Sequence, residues 1–171
     1  MNTNTIAFVG LCSEYCQTLE NVSQMTSNEL VQSLVRLLPR LYIAATDLKN
    51  DSIDPNDGYI NAVLDEEYYD SIRRSIEGVL GGDDTYLEVF EEDMKYSDTP
   101  IGASISESLA DIFQPLYNFL AMIDNAPDEI VDAAVGAIHY DFEAYWGQTL
   151  CNVMRPLHHL AVSSGNDDEA I

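Results

Sequence analysis

The chain has 171 residues, about one compact domain's worth, and a 46% hydrophobic content that sets it apart from a disordered acidic tail. Seven Lys and Arg against 30 Asp and Glu leave a net charge of −23, a surface that repels nucleic-acid phosphates and anionic membranes. Nucleic acid and membrane are therefore excluded as direct partners, while cations, a basic protein and a second copy of the chain stay open.

The segment Met1–Cys16 carries no Lys or Arg, and its apolar run Ile6–Cys12 is short for a signal peptide and far too short to span a bilayer. Leu11 and the uncharged stretch before Cys12 do not fit a lipoprotein acylation site. Three cysteines cannot all pair within the chain, which fits a reducing compartment, so a cytoplasmic location is expected.

Apolar residues recur at helical spacing nearly throughout. A first helix is predicted over about Thr5–Ser23, with Val9, Cys12, Cys16, Leu19 and Val22 on one face. Thr26 followed by Glu29 reads as a capping box, the hydroxyl and the carboxylate each satisfying an orphan amide at the start of a second helix. Leu34, Leu38, Leu41, Ala45 and Leu48 form its seam, and it is expected to end near Lys49. Asn50–Gly58, dense in Asp, Asn, Pro and Gly, reads as a loop. Aligning Gly58 with the invariant glycine of a calcium loop puts Ile53, Pro55 and Leu64 at ligand positions, so the loop is not an EF-hand.

A third helix is predicted over about Ile60–Leu80 on Leu64, Tyr68, Ile72, Ile76 and Leu80, with Gly81-Gly82 as its stop. Asp84–Tyr96, bearing Tyr86, Phe90 and Met94, reads as a shorter helical piece, with a strand as the alternative. The fourth long helix, Ile101–Ile123, repeats a four-three rhythm through Ile105, Leu109, Ile112, Leu116, Phe119 and Ile123. Pro127-Asp128-Glu129 restarts the chain with a proline and acids in a first turn. The last helix follows Val131, Val135, Ile138, Phe142, Tyr145, Thr149 and Val153 towards Leu160. Together these predict an all-α, antiparallel bundle of four to six helices over residues 1–162, with an acidic flexible tail over 163–171.

The strings DEEYYDSIRRSIEG (Asp65–Gly78), DIFQPLYNFL (Asp111–Leu120) and DFEAYWGQTLCNVMRPLHHL (Asp141–Leu160) resemble a family of small, acidic, all-helical bacterial proteins known only as a domain of unknown function. The similarity spans roughly Phe8–Leu160. It implies a helical fold and a bacterial, cytoplasmic origin, and it supplies no functional residues to carry over.

Chemistry-bearing features are few. Pro39, Pro115 and Pro156 fall inside helices, where each removes an amide donor and bends the rod. Kinks of the second and fourth helices at one level would open a cleft for Tyr42 and Tyr117; the plainer reading is that they wrap long helices around the core. His139 and Glu143, one turn apart, could share a metal or act as an acid/base couple near Trp146, but single pairs at this spacing are common surface ion pairs. Glu-x-x-His, the signature of di-metal carboxylate bundles, does not occur. His158 and His159 are adjacent and diverge, while Cys12 and Cys16 lie on an apolar face with only Cys151 left for a second pair. Neither a nucleophile elbow nor a phosphate-binding glycine loop is present, so no catalytic residue, metal or cofactor is expected.

Acids concentrate between Asp47 and Asp98, 16 against four bases. Glu66, Glu67, Tyr69, Asp83, Asp84, Tyr86, Glu88, Glu91, Glu92 and Asp93 mix carboxylates with rings, a face suited to a basic protein partner, though acidic faces also serve solubility alone. The expected function is a non-catalytic interaction module, an adaptor or an immunity-type inhibitor. The alternatives are a small-molecule or metal-dependent enzyme around Tyr42, Tyr117, His139, Glu143 and Trp146, and a structural homodimer.

Overall fold

The computed structural model describes residues 1–48, 59–88 and 101–169. Its architecture is an all-α bundle with one two-stranded ribbon: α1 (Thr3–Glu20), a 3₁₀ turn (Val22–Gln24), α2 (Ser27–Asp47), α3 (Glu66–Leu80), a second 3₁₀ turn (Gly81–Asp84), β1 (Thr85–Leu87), β2 (Gly102–Ser104), α4 (Ile105–Ile123), α5 (Asp128–Asp141), a π-helical turn (Phe142–Trp146) and α6 (Gly147–Glu169).

Single contacts fix the directions. Asn4 donates to the Asp47 carbonyl at 3.5 Å, so the start of α1 lies beside the end of α2. Gln32 reaches the Ala161 carbonyl and His139 meets that of Ala45, which runs α2 antiparallel to the α5–α6 rod. Tyr15 donates to Leu109 at 2.6 Å while Phe8 meets Phe119 at 5.5 Å between centroids, setting α1 against α4. Tyr69 with Asp111, and Leu64 with Asn118, set α3 antiparallel to α4. Between these rods lies one cluster of buried side chains, including Leu30, Leu34, Leu38 and Leu41 of α2 and Phe113, Leu116 and Phe119 of α4. Each such side chain contributes about 1.5–3 kcal/mol on burial, which is what holds seams with few polar cross-links.

The capping box is present: Glu29 N donates to Thr26 Oγ1 at 3.2 Å and Thr26 N to Glu29 Oε2 at 2.9 Å. Gly81 ends α3 at φ +57, a left-handed geometry that favours glycine. Pro39, Pro115 and Pro156 all lie inside helices.

Four expectations need correction. α3 begins at Glu66, not near Ile60, because Asn118 Oδ1 of α4 takes the Val63 and Leu64 amides at 3.1 and 2.9 Å and leaves them nothing to give a helix. Thr85–Leu87 is a strand, not helix; its partner is Gly102–Ser104, in register Thr85↔Ser104, and this pairing also delays α4 to Ile105. Phe90, Met94 and the predicted loop Asn50–Gly58 lie outside the described residues. The last helix is α5 and α6 joined through the π-helical turn, and the extra residue in that turn rotates the apolar stripe. Trp146 and Leu150 enter the core in place of Tyr145 and Thr149, and Tyr145 is 71% exposed. Finally, α6 continues to Glu169, through most of the segment expected as a tail.

Candidate functional site

Asp65 caps α3 by accepting the Tyr68 amide at 2.7 Å, and Glu66 and Glu67 follow in the first turn, where carboxylates are favoured by the helix dipole. Asp70 is committed to Arg73 at 2.9 Å and to Arg74 at 2.6 Å, whereas Glu66 and Glu67 make no ion pair among the described residues. Across from them Tyr69 donates to Asp111 Oδ1 of α4 at 2.5 Å. Partial burial first, and that hydrogen bond second, push the Tyr69 hydroxyl well above the usual tyrosine range. Burial also raises the Asp111 carboxyl, with Glu107 adding to it and the Tyr69 bond pulling the other way. Glu66, Glu67, Tyr69, Asp70, Asp111 and Gln114 line a groove of about 660 Å³ between α3 and α4.

Glu66, Glu67 and Tyr69 are thus brought together, joined by Asp111 and Gln114. The other sequence candidates are not. Asp83 is exposed in the turn after α3, beyond the far end of a helix that runs about 20 Å from Glu66. Asp84 turns inward, 6% exposed, taking the Ser106 amide and hydroxyl at 2.7 Å each and so tying the ribbon to the first turn of α4. The strand alternates, which buries Tyr86 on Ser108 and Glu88. Asp84, Tyr86 and Glu88 are therefore buried and engaged between the ribbon and the start of α4. Glu91, Glu92 and Asp93 lie outside the described residues.

A second cleft, about 480 Å³, shares Asp111 and Gln114 with the groove and continues it towards the π-helical turn. Pro115 and Asn118 of α4 form one wall; Asp141, Tyr145 and Trp146 form the other. Burial raises the Asp141 carboxyl above its ordinary range. Trp146 is 2% exposed and packs edge-on to Phe142, centroids 4.7 Å apart. Asn118 carried no signal in the sequence, being one of several polar residues that fall between the apolar positions of α4.

The residues of the alternative pocket are dispersed. Tyr42, His139 and Glu143 line a cleft of about 490 Å³ with Cys151, Tyr117 borders another with Cys16 and Glu20, and Trp146 belongs to the one above. Among the described residues Pro39 and Pro115 border no common cleft, which leaves the plainer reading of the kinks: α2 packs chiefly on α1 and α6, and α4 on α1, α3, α5 and α6. His139 is 8% exposed and fully engaged, Nδ1 3.2 Å from the Ala45 carbonyl and Nε2 3.0 Å from Glu143. Among the described residues no three His, Cys, Asp or Glu converge as a metal site, and no helix is long and apolar enough to cross a membrane.

A family model described as a domain of unknown function, DUF5063, matches residues 1–163, and the chain belongs to that family. Among solved structures it is similar to the crystal structure of protein BF1032 from Bacteroides fragilis, a Northeast Structural Genomics Consortium target. That likeness has 28% identity, covers 93% of this chain and 92% of that one, and gives a TM-score of 0.79. No curated protein sequence matches the chain.

Proposed function

We propose that this DUF5063 member is a non-catalytic interaction module whose α3–α4 groove receives a basic segment of a partner protein, as an adaptor or an immunity-type inhibitor would. The observation that carries the reading is the gathering of Glu66, Glu67, Tyr69 and Asp111 around one groove in which, among the described residues, Glu66 and Glu67 have no cation of their own. Carboxylates supply steering and the ring supplies area, the division expected where charge sets encounter rate and aromatics set contact. Free thiols at Cys12, Cys16 and Cys151 suit a reducing cytoplasm.

The test uses a decamer rich in Lys and Arg, followed by calorimetry as salt rises. Glu66→Gln with Glu67→Gln should weaken it about five- to thirtyfold, since exposed ion pairs contribute up to roughly 1 kcal/mol each. The charge-matched control, Asp128→Asn with Glu129→Gln at the start of α5, should change it by less than about twofold. Equal losses in the two variants would mean that net charge alone attracts the peptide, and the groove reading fails.

A further inference from the structure

We propose that the cleft between Pro115 and the π-helical turn is the specificity pocket of that groove, taking one arginine residue of the basic segment: guanidinium against Asp141 and Asp111, backbone carbonyl on the Asn118 amide. The assignment rests on the groove reading, because the two cavities meet at Asp111 and Gln114.

Asn118 supplies the independent observation. It is 7% exposed, and its Oδ1 is used twice, by the Val63 and Leu64 amides, which fixes the orientation of the side chain. Its Nδ2 donates to nothing among the described residues. It is also not one of the sealed, unpaired side-chain atoms there, which are Glu88 Oε2 and Trp146 Nε1. The amide nitrogen is thus unpaired among the described residues yet not sealed from solvent, and Asn118 is one of the residues that line the cleft. Such a donor is available to an acceptor that enters the cleft, such as a peptide carbonyl.

The remaining walls select what accompanies that acceptor. Asp141 and Asp111 repel anions and favour a cation, whose charge would oppose the upward shift that burial gives their carboxyls. Among the described residues no Lys or Arg lines the cleft. Arginine suits it better than lysine: the planar guanidinium can stack on the exposed Tyr145 ring and present a fork of N–H donors to the carboxylates. The volume lies within the range of small-ligand sites.

Trp146 is the chain's sole tryptophan and lines this cleft, so its fluorescence reports occupancy directly. The probe is N-acetyl-L-arginine N-methylamide, too short to reach Glu66 and Glu67. A saturable change is expected near 1 mM, about the affinity of one anchored side chain, with the lysine analogue weaker and the glutamate analogue silent. Asp141→Asn should weaken the arginine probe by about tenfold or more, and Tyr145→Ala severalfold, each checked for native far-UV dichroism. No saturable change up to about 50 mM, or one indifferent to both substitutions, overturns the pocket. A silent probe with a decamer that still depends on Glu66 and Glu67 overturns the pocket alone. A probe that binds, with a decamer indifferent to Glu66 and Glu67, overturns the groove and leaves the arginine pocket standing.

Discussion

Replacing Gly147 by alanine should destabilise the protein, against the usual sign of a glycine-to-alanine change in a helix. A Cβ on Gly147 would stand 2.5 Å from the Phe142 carbonyl oxygen and 2.9 and 3.0 Å from two atoms of the Phe142 ring. The nearest obstacle is backbone, and it is the same carbonyl that accepts the Gly147 N–H to close the π-helical turn. The carbonyl cannot step aside without loosening that bond, and the ring is held against Trp146. Overpacking of this kind costs about 1–3 kcal/mol, with the backbone obstacle pointing to the upper part, and the helix-propensity gain of about 1 kcal/mol offsets part of it. The net loss is about 1–2 kcal/mol, or a fall in Tm of roughly 2–8 °C for a chain of this length. Gly78→Ala is the internal control: in exposed α3, with no atom within 4 Å of the added carbon, it should raise stability by about 0.5–1 kcal/mol. Both are read by thermal and urea unfolding followed at 222 nm. A Gly147→Ala protein as stable as the parent would refute the steric argument, because the π-helical turn would then be giving way without loss.

Tyr15→Phe removes the 2.6 Å bond from a fully buried hydroxyl to the Leu109 carbonyl and should cost about 1–2 kcal/mol, seen as a lower urea midpoint with unchanged slope. An unchanged midpoint would mean that this α1–α4 staple contributes nothing net. Of the three thiols, only Cys151 is exposed; burial holds Cys12 well above the ordinary thiol range and lifts Cys16 to about 12. Ellman's reagent should therefore titrate one thiol in the native protein and all three in denaturant. Burial also raises the Cys151 thiol, so its reaction should be slower than that of a free cysteine peptide.

Where helix boundaries are set by local chemistry, they were legible: Thr26 with Glu29, and Gly81, stand where their residue types require, and the apolar rhythm of α4 marks its core face though not its start. Where a distant group sets them, they were not. Residues 60–65 carry a helical pattern, but Asn118, more than fifty positions away, takes the amides that the helix would need. Thr85–Leu87 is too short to announce itself and exists through its pairing with Gly102–Ser104. The candidate site divided along the same line. Glu66, Glu67 and Tyr69 were visible as a local run, while Asp111, Gln114 and Asn118 join them only through the α3–α4 crossing. Asp84 shows the reverse error, a carboxylate indistinguishable in sequence from its neighbours yet buried as the anchor of Ser106.

The π-helical turn was the hardest feature to see, and it shapes the cleft. Two readings of the last helix fit the same residues: mixed steps of three and four through Phe142, Tyr145, Thr149 and Val153, or a run of fours through Ile138, Phe142, Trp146 and Leu150. An α-helix advances about 100° per residue, so successive steps of four drift steadily around the rod and leave the core. A single i→i+5 turn absorbs the drift, and Gly147 permits it by carrying no Cβ where the Phe142 carbonyl comes close. The consequence runs through to the surface. Had the rod stayed α-helical, Tyr145 and Thr149 would pack inward and close the space beside Pro115. With the extra residue, Trp146 and Leu150 seal the core instead, and Tyr145 and Thr149 become a wall of the cleft. Opposite them Pro115 carries no backbone N–H to give its own helix. Interruptions on facing rods thus border one space, the geometry that gives the arginine pocket its width.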